Sequence, residues 1–202
     1  MSGIPFIVSA PSGAGKTTLC KKAVAFFSDL RQSISYTTRK PREGEINGVD
    51  YWFIDNAAFD SMVKKGEFLE HADIYGKRYG TSRKDLKKIL EEGLSVILEI
   101  DVQGAESVRG KLKGAVYVFI LPPSLEASEE RLKERGKDSA EEIRKRLKTA
   151  AEEIKLAPKY DYIIINEDLD EAFEKLKSVI IAEKSKSKRM MGRVKEGFGE
   201  YL

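Results

Sequence analysis

Apolar residues along the chain fall into two kinds of run. Residues 4–9 (IPFIVS), 94–101 (LSVILEID), 115–123 (AVYVFILPP) and 162–166 (YIIIN) are near-continuous apolar stretches bounded by Gly, Pro or acidic residues. Runs this short and this apolar predict strands buried on both faces. Between them the period lengthens to that of helices. A helix is predicted from Thr17 to about Phe27, with Leu19, Ala23, Phe26 and Phe27 on one side, and another over 56–65, with Phe59, Met62 and Val63 as its stripe. Residues 82–92 read as a helix with Ser82 as N-cap and Gly93 as its stop. Helices follow over 124–135, 140–154 and 169–184, the last turning Ala172, Phe173, Leu176, Val179 and Ile180 inward.

The alternation predicts an α/β fold, a parallel β-sheet core flanked by helices. Residues 35–80 break the rhythm. Residues 31–53 have no helical period and carry Pro41, Gly44 and Gly48, while 49–54 and 67–74 are β-like, so an inserted β-rich lobe is expected. The charged residues after 184 have little apolar period and are expected to form a solvated or frayed tail. No internal repeat or low-complexity segment is present in the sequence.

Composition narrows the function classes. A chain of 202 residues suits one domain with a small lobe, and 41% hydrophobic against 34% charged residues is the balance of a folded globular protein. A net charge of +3 is too small to argue for wrapping nucleic acid. The single cysteine, Cys20, excludes a disulfide framework within the chain and reads as a buried helix residue rather than a nucleophile. His71, the single histidine, reads as structural or peripheral. No leader-like segment and no apolar run of the ~20 residues a membrane span needs is seen. The cytoplasm is therefore expected, with no membrane partner, and either a monomer or a homo-oligomer is compatible.

Between the first strand and the first helix lies SAPSGAGKTT. Ala10, Pro11, Ser12, Gly13, Ala14, Gly15, Lys16 and Thr17 fit a phosphate-binding loop, with Ala10 in place of its first glycine and Thr18 beside it. Glycines let successive backbone N–H groups face one concavity, a nest for phosphate oxygens. The following helix brings its positive end to the same point. Lys16 supplies a mobile cation for the outer phosphates, and Thr17 a hydroxyl for Mg²⁺. The alternative, a chance glycine-rich turn, rarely carries Gly-Lys-Thr at a strand–helix junction. The loop implies a nucleoside triphosphate without fixing the reaction. The Asn-Lys-x-Asp of a guanine-reading GTPase is missing from the sequence, and the chain is short for a motor ATPase. A short chain with an inserted lobe points to phosphoryl transfer onto a second small molecule.

That second site is read from SYTTRKPREGEINGVDYWF (35–53), where Arg39 and Arg42 flank Pro41 and Tyr51 follows. Two guanidinium forks and a phenol suit a phosphate monoester; a solvated charge pair is the competing reading. Downstream, EFLEHADIYGKRYGTS supplies Glu70, Tyr79 and Thr81. A carboxylate beside hydroxyls suits guanine, which offers N1–H and N2–H donors and an O6 acceptor. Asp101 stands at the carboxyl end of a parallel strand, where ligands gather in open α/β sheets.

At this point the chain resembles the guanylate kinases. The likeness runs over nearly the whole sequence, through SAPSGAGKTT, SYTTRKPREGEINGVDYWF, YGTS, ILEIDVQG, FILPPS, RLKERG and IIIN. The resemblance implies transfer of the γ-phosphoryl group of ATP to GMP, and to dGMP, with Mg²⁺ accompanying ATP. Carried over by position, Ser35, Glu70 and Thr81 would read guanine, and Arg39, Arg42, Tyr51 and Tyr79 would hold the α-phosphate. Asp101 and Glu99 would lie near guanine and the water shell of the metal, and Asn166 near adenine. Lys16 and Arg39 would act on the transferred group together with Arg131, Arg135 and Arg146 of a helical lid, RLKERGKDSAEEIRKRL. For each lid arginine the alternative is a salt-bridged charged helix. The implied layout is a core of about 1–34, 82–124 and 155–190, a GMP-binding lobe of about 35–81 and a lid of about 125–154. Two other readings compete. Peptide-binding guanylate-kinase-like domains of scaffold proteins usually lack an intact loop, whereas Gly15-Lys16-Thr17 is intact here. A sugar-phosphate or AMP kinase would not need the Ser35, Glu70 and Thr81 set.

Overall fold

A computed structural model describes residues 3–74, 76–134, 136 and 139–202. The chain opens with β1 (Pro5–Ser9), α1 (Lys16–Phe26) and β2 (Leu30–Gln32). It continues through β3 (Tyr36–Thr37), β4 (Trp52–Phe53), α2 (Asn56–Lys64), β5 (Phe68–Ile74) and β6 (Lys77–Ser82). Then come α3 (Arg83–Glu91), β7 (Ser95–Glu99), α4 (Val102–Val108), β8 (Val116–Leu121), α5 (Leu125–Glu134) and α6 (Ala140–Ile154). The last elements are β9 (Tyr162–Ile165), α7 (Leu169–Lys184) and α8 (Ser187–Phe198).

The main sheet has the order β2-β7-β1-β8-β9, and every pair in it is parallel. Its inner strands β1, β7 and β8 are apolar on both faces because each face is covered. Phe6 and Val8 of β1 and Ile97 of β7 pack with Leu19, Cys20 and Ala23 of α1 and with Phe173, Leu176 and Ile180 of α7. Ile7, Val96 and Leu98 point the other way, against Leu86 of α3 and Ala105 and Val108 of α4. The chain leaves β1 toward β2 on one side and β8 toward β9 on the other. That reversal opens a crevice at the carboxyl ends of β1 and β8, the place where open α/β sheets bind ligands.

The inserted lobe is a second sheet of order β4-β3-β6-β5, antiparallel apart from β3–β4. It is tied to the core through α3, which begins where β6 ends. Ser82 caps α3 by accepting from the Asp85 N–H, and Gly93 follows the helix with a φ of 78°.

Four expectations need correction. Among the described residues the main sheet has five strands, not four: β2 is a three-residue edge strand whose Arg31 and Gln32 give it no apolar run. β9 is also an edge strand rather than one buried on both faces, with Ile163 and Ile165 51% and 45% exposed. In α1 Leu19, Cys20 and Ala23 turn inward but Phe26 does not; it lies at the surface in edge contact with Phe27 and Phe173. The segment after 184 is solvated, as expected, but not frayed: it forms α8, with no buried residue. Its start is clasped by the buried Glu183, which accepts from Lys186 (2.6 Å), Arg189 (3.2 Å) and the Tyr162 hydroxyl (2.7 Å). Strands β3 and β6 and helix α4, which the periodicity did not call for, complete the fold. Cys20 is buried and His71 exposed, as read. Among the described residues no helix is long and apolar enough to cross a membrane.

Candidate active site

The loop 10–15 leaves β1 and turns into α1. Gly13 and Gly15 both sit at φ 85°, a left-handed conformation that side chains disfavour. Space forbids side chains here too: a Cβ on Gly13 would meet the Ser128 carbonyl oxygen of α5 at 2.9 Å, and one on Gly15 would meet Asn166 Nδ2 at 2.4 Å. Gly15 caps α1 without any side-chain hydrogen bond, so the first N–H groups of the helix face the crevice. Ala10, Pro11 and Ala14 are buried beneath the loop, while Ser12 is half-buried and Thr17 and Thr18 are exposed. Asn166, at the end of β9, donates from Nδ2 to the Ala14 carbonyl at 2.8 Å. Its amide thus supports the loop backbone, a contact that the sequence did not suggest.

Lys16 donates to the Ile100 carbonyl at 2.9 Å, which parks its ammonium at the end of β7. The Thr17 hydroxyl donates to Glu99 Oε1, and Gln32 reaches Glu99 Oε2 at 3.3 Å. Thr17 and Glu99 together present hard oxygen donors. That set fits Mg²⁺, which keeps most of its waters and uses one or two protein oxygens plus substrate phosphates.

In the lobe sheet the register aligns the base-reading candidates. Glu70 of β5 faces Thr81 of β6. Tyr36 pairs with Gly80 on β6 and with Trp52 on β4, so one step back along β3 sets Ser35 beside Thr81 and beside Tyr51. The Trp52 N–H donates to the Ser35 carbonyl at 2.9 Å, consistent with that step. Extended by that step, Tyr51 and Ser35, each just ahead of its strand, line up with Thr81 and Glu70 in one row on one face of the lobe sheet. Tyr79, two residues before Thr81, shares that face, and its ring meets that of Tyr51 at 5.9 Å. Thr81 donates to Glu70 Oε1 at 2.5 Å, and Glu70 is only 6% exposed. Burial pushes its carboxyl up to about 7, against the pull of the Thr81 hydrogen bond. Burial likewise pushes the Tyr51 phenol up to about 12, so its hydroxyl remains a donor at any working pH.

Arg39 lies over Tyr51, its guanidinium carbon 5.2 Å from the ring centroid. Glu45 grips it with both oxygens, at 2.8 and 2.9 Å, and the Lys40 carbonyl takes a third N–H at 2.8 Å. A guanidinium has five N–H donors, so the grip leaves donor capacity for an anion. Glu45 also accepts from the Arg42 backbone N–H at 2.7 Å, leaving the exposed Arg42 side chain outside that grip.

Asp101 caps α4, accepting from the Gly104 N–H at 2.8 Å. Glu153, at the end of α6, faces Asp101 and Lys16; burial, then Asp101, pushes its carboxyl up to about 7 although Lys16 opposes. Of the three arginines expected on a lid, Arg131 donates to the Asn166 carbonyl at 2.9 Å, and its buried Nη1 has no hydrogen bond among the described residues. Arg146 is half-buried on α6. Arg135 lies outside the described residues. Sequence reading missed Glu45, Glu153 and Gly104. For Glu153 there was a signal: it falls on the same helical face as Arg146 and the buried Ala150. For Glu45 nothing in the spacing separates it from Glu43.

Comparison with known proteins gives a consistent picture. Residues 2–183 match the family model described as guanylate kinase. The guanylate kinase of Geobacter metallireducens is 49% identical over 196 residues, 97% of each chain. That of Caldanaerobacter subterraneus subsp. tengcongensis is 48% identical over 187 residues, 93% of this chain and 91% of the other. The crystal structure of guanylate kinase from Anaplasma phagocytophilum superposes with a TM-score of 0.81 at 33% identity, covering 100% of this chain and 97% of that one.

Proposed function

The chain belongs to the guanylate kinase family, and we propose on that premise how its residues carry the γ-phosphoryl group of ATP to GMP, giving ADP and GDP. The observation that carries the reading is the buried Glu70 carboxylate, hydrogen-bonded to Thr81, in a lobe set against the phosphate-loop core. An ionised carboxylate accepts the guanine N1–H and N2–H together, and Ser35 and Thr81 complete the edge. Arg39, Arg42, Tyr51 and Tyr79 hold the acceptor phosphate. dGMP carries the same base and phosphate and is taken as a second acceptor.

On the donor side the loop from Ala10 to Thr18 cradles ATP, and Lys16 leaves the Ile100 carbonyl for the outer phosphates. Thr17, with Glu99, would hold Mg²⁺, which would supply positive charge to neutralise the triphosphate. A GMP phosphate oxygen attacks the γ-phosphorus as the bond to the bridging β–γ oxygen breaks, leaving ADP. That oxygen is already anionic, so no general base is required. The chain's work is in-line placement and charge neutralisation. Arg131, Arg135 and Arg146, carried on the lid over 125–154, supply the remaining positive charge, and lid closure keeps water from taking the phosphoryl group.

A coupled ADP-release assay with ATP and Mg²⁺, offering GMP, dGMP, AMP, CMP and UMP in turn, tests the reading. Turnover confined to GMP and dGMP is expected. Turnover with another acceptor would keep the loop and overturn the guanine assignment of Ser35, Glu70 and Thr81.

A further inference from the structure

Gly104 is the third residue of α4 and is buried. It is not among the glycines with positive φ. In ordinary helix glycine is the poorer choice beside alanine, so conformational freedom does not account for it. Space does. A Cβ at this position would lie 2.9 Å from Glu70 Oε2 and 3.1 Å from Asp101 Oδ1. Glu70 thus has one oxygen on the Thr81 hydroxyl and the other against the bare Cα of residue 104.

We infer that Gly104 is a positioning residue for the acceptor base: its missing side chain lets the Glu70 carboxylate of the lobe seat against α4 of the core in the orientation that meets guanine. This rests on the reading of Glu70 as the guanine-binding carboxylate. Of the two oxygens a Cβ would press, Asp101 Oδ1 is held by its cap hydrogen bond to the Gly104 N–H. The Glu70 carboxylate ends a side chain with three rotatable bonds and is the group that gives way. A methyl group here turns that carboxylate off the line of the N1–H and N2–H donors. The loss falls on the acceptor, while α4 itself gains a better helix former. IMP lacks the 2-amino group, so turning Glu70 also narrows the preference for GMP over IMP.

The test is a cycle of Gly104→Ala, Glu70→Ala and the double variant, read by kcat and KM for GMP, IMP and ATP and by melting temperature. For Gly104→Ala the GMP KM rises on the order of tenfold, the scale of one misaligned hydrogen bond to a charged group. Its kcat and ATP KM hold, its melting temperature does not fall, and the GMP-to-IMP ratio of kcat/KM shrinks. In the Glu70→Ala background, adding Gly104→Ala changes the GMP KM no further, since the clashing oxygen is gone. The inference is overturned if the full effect persists in that background, or if both KM values rise as the melting temperature drops. It also fails alone if Glu70→Ala raises the GMP KM and Gly104→Ala does not. An unchanged GMP KM in Glu70→Ala itself would instead sink the reading of Glu70.

Discussion

Thr81 donates its hydroxyl hydrogen to Glu70 across the β5–β6 ladder at 2.5 Å, and both residues are buried. The hydroxyl hydrogen is spent on Glu70 Oε1, so Thr81 offers the ligand only its oxygen lone pairs, beside those left on the ionised carboxylate. Burial pushes that carboxyl up to about 7. GMP binds the ionised form, so its affinity rises as pH climbs through about 7 and levels off above. The phosphate monoester has its own second ionisation near ~6, which acts equally on any variant. Calorimetric titration of GMP into the protein and into Glu70→Gln from pH 6 to 8 isolates the carboxylate: the ratio of the two affinities grows with pH. A constant ratio would contradict the account.

The same carboxyl shapes stability with the opposite sign. Its folded value of about 7 stands above the ordinary 4.5, so between those values the folded state holds more protons than the unfolded chain. The contribution of Glu70 is therefore fully present below about 4.5 and is lost as pH rises through about 7. Glu70→Gln keeps an oxygen for the Thr81 hydroxyl and has no charge to bury. Thermal melts of the ligand-free proteins are expected to show the variant gaining on the parent from pH 5 to pH 8, with the gap steady above about 7.

Glu45 holds Arg39 in a two-point grip, with both side chains largely covered at 12% and 19% exposure. Glu45→Ala unfastens the guanidinium and frees the Arg42 backbone as well. Steady-state kinetics should find the GMP KM raised about tenfold, the worth of a hydrogen bond to a charged group, and the ATP KM little changed. Equal increases in both would mean that Glu45 only supports the fold.

Asn166 gives its amide hydrogen to the Ala14 carbonyl. Asn166→Ala leaves a buried carbonyl unpaired, a loss of about 1–3 kcal/mol. Comparing ATP with CTP as donors is the useful readout. The KM of each donor rises by the same factor if the amide serves the loop, whereas a changed preference between them would return Asn166 to the adenine base.

Much of this was legible in the chain. The phosphate loop is a local pattern whose glycines, lysine and threonine are consecutive, and the doubly buried strands announce themselves as apolar runs. β2 was hidden because an edge strand of three residues with Arg31 and Gln32 has no such run. The seven-residue α4 was hidden because ILEIDVQG reads as strand until Asp101 turns out to be its cap. The row from Tyr51 to Glu70 could be named residue by residue, but its order depends on a register that only pairing of four separated segments sets. Gly104 and Glu45 matter through contacts with residues of other segments or with one arginine's fork, and neither leaves a periodic trace. α8 lacks a buried stripe, and the Glu183 clasp that starts it joins residues whose charges look like ordinary surface.

The most direct test of the central claim is binding of GMP and of ATP, measured separately by titration calorimetry at pH 8, in the parent chain and in Glu70→Gln. The account predicts that ATP affinity holds while GMP affinity falls by roughly 10- to 100-fold, as befits the loss of a charged acceptor. An equal fall for both nucleotides, or no fall for GMP, would contradict it.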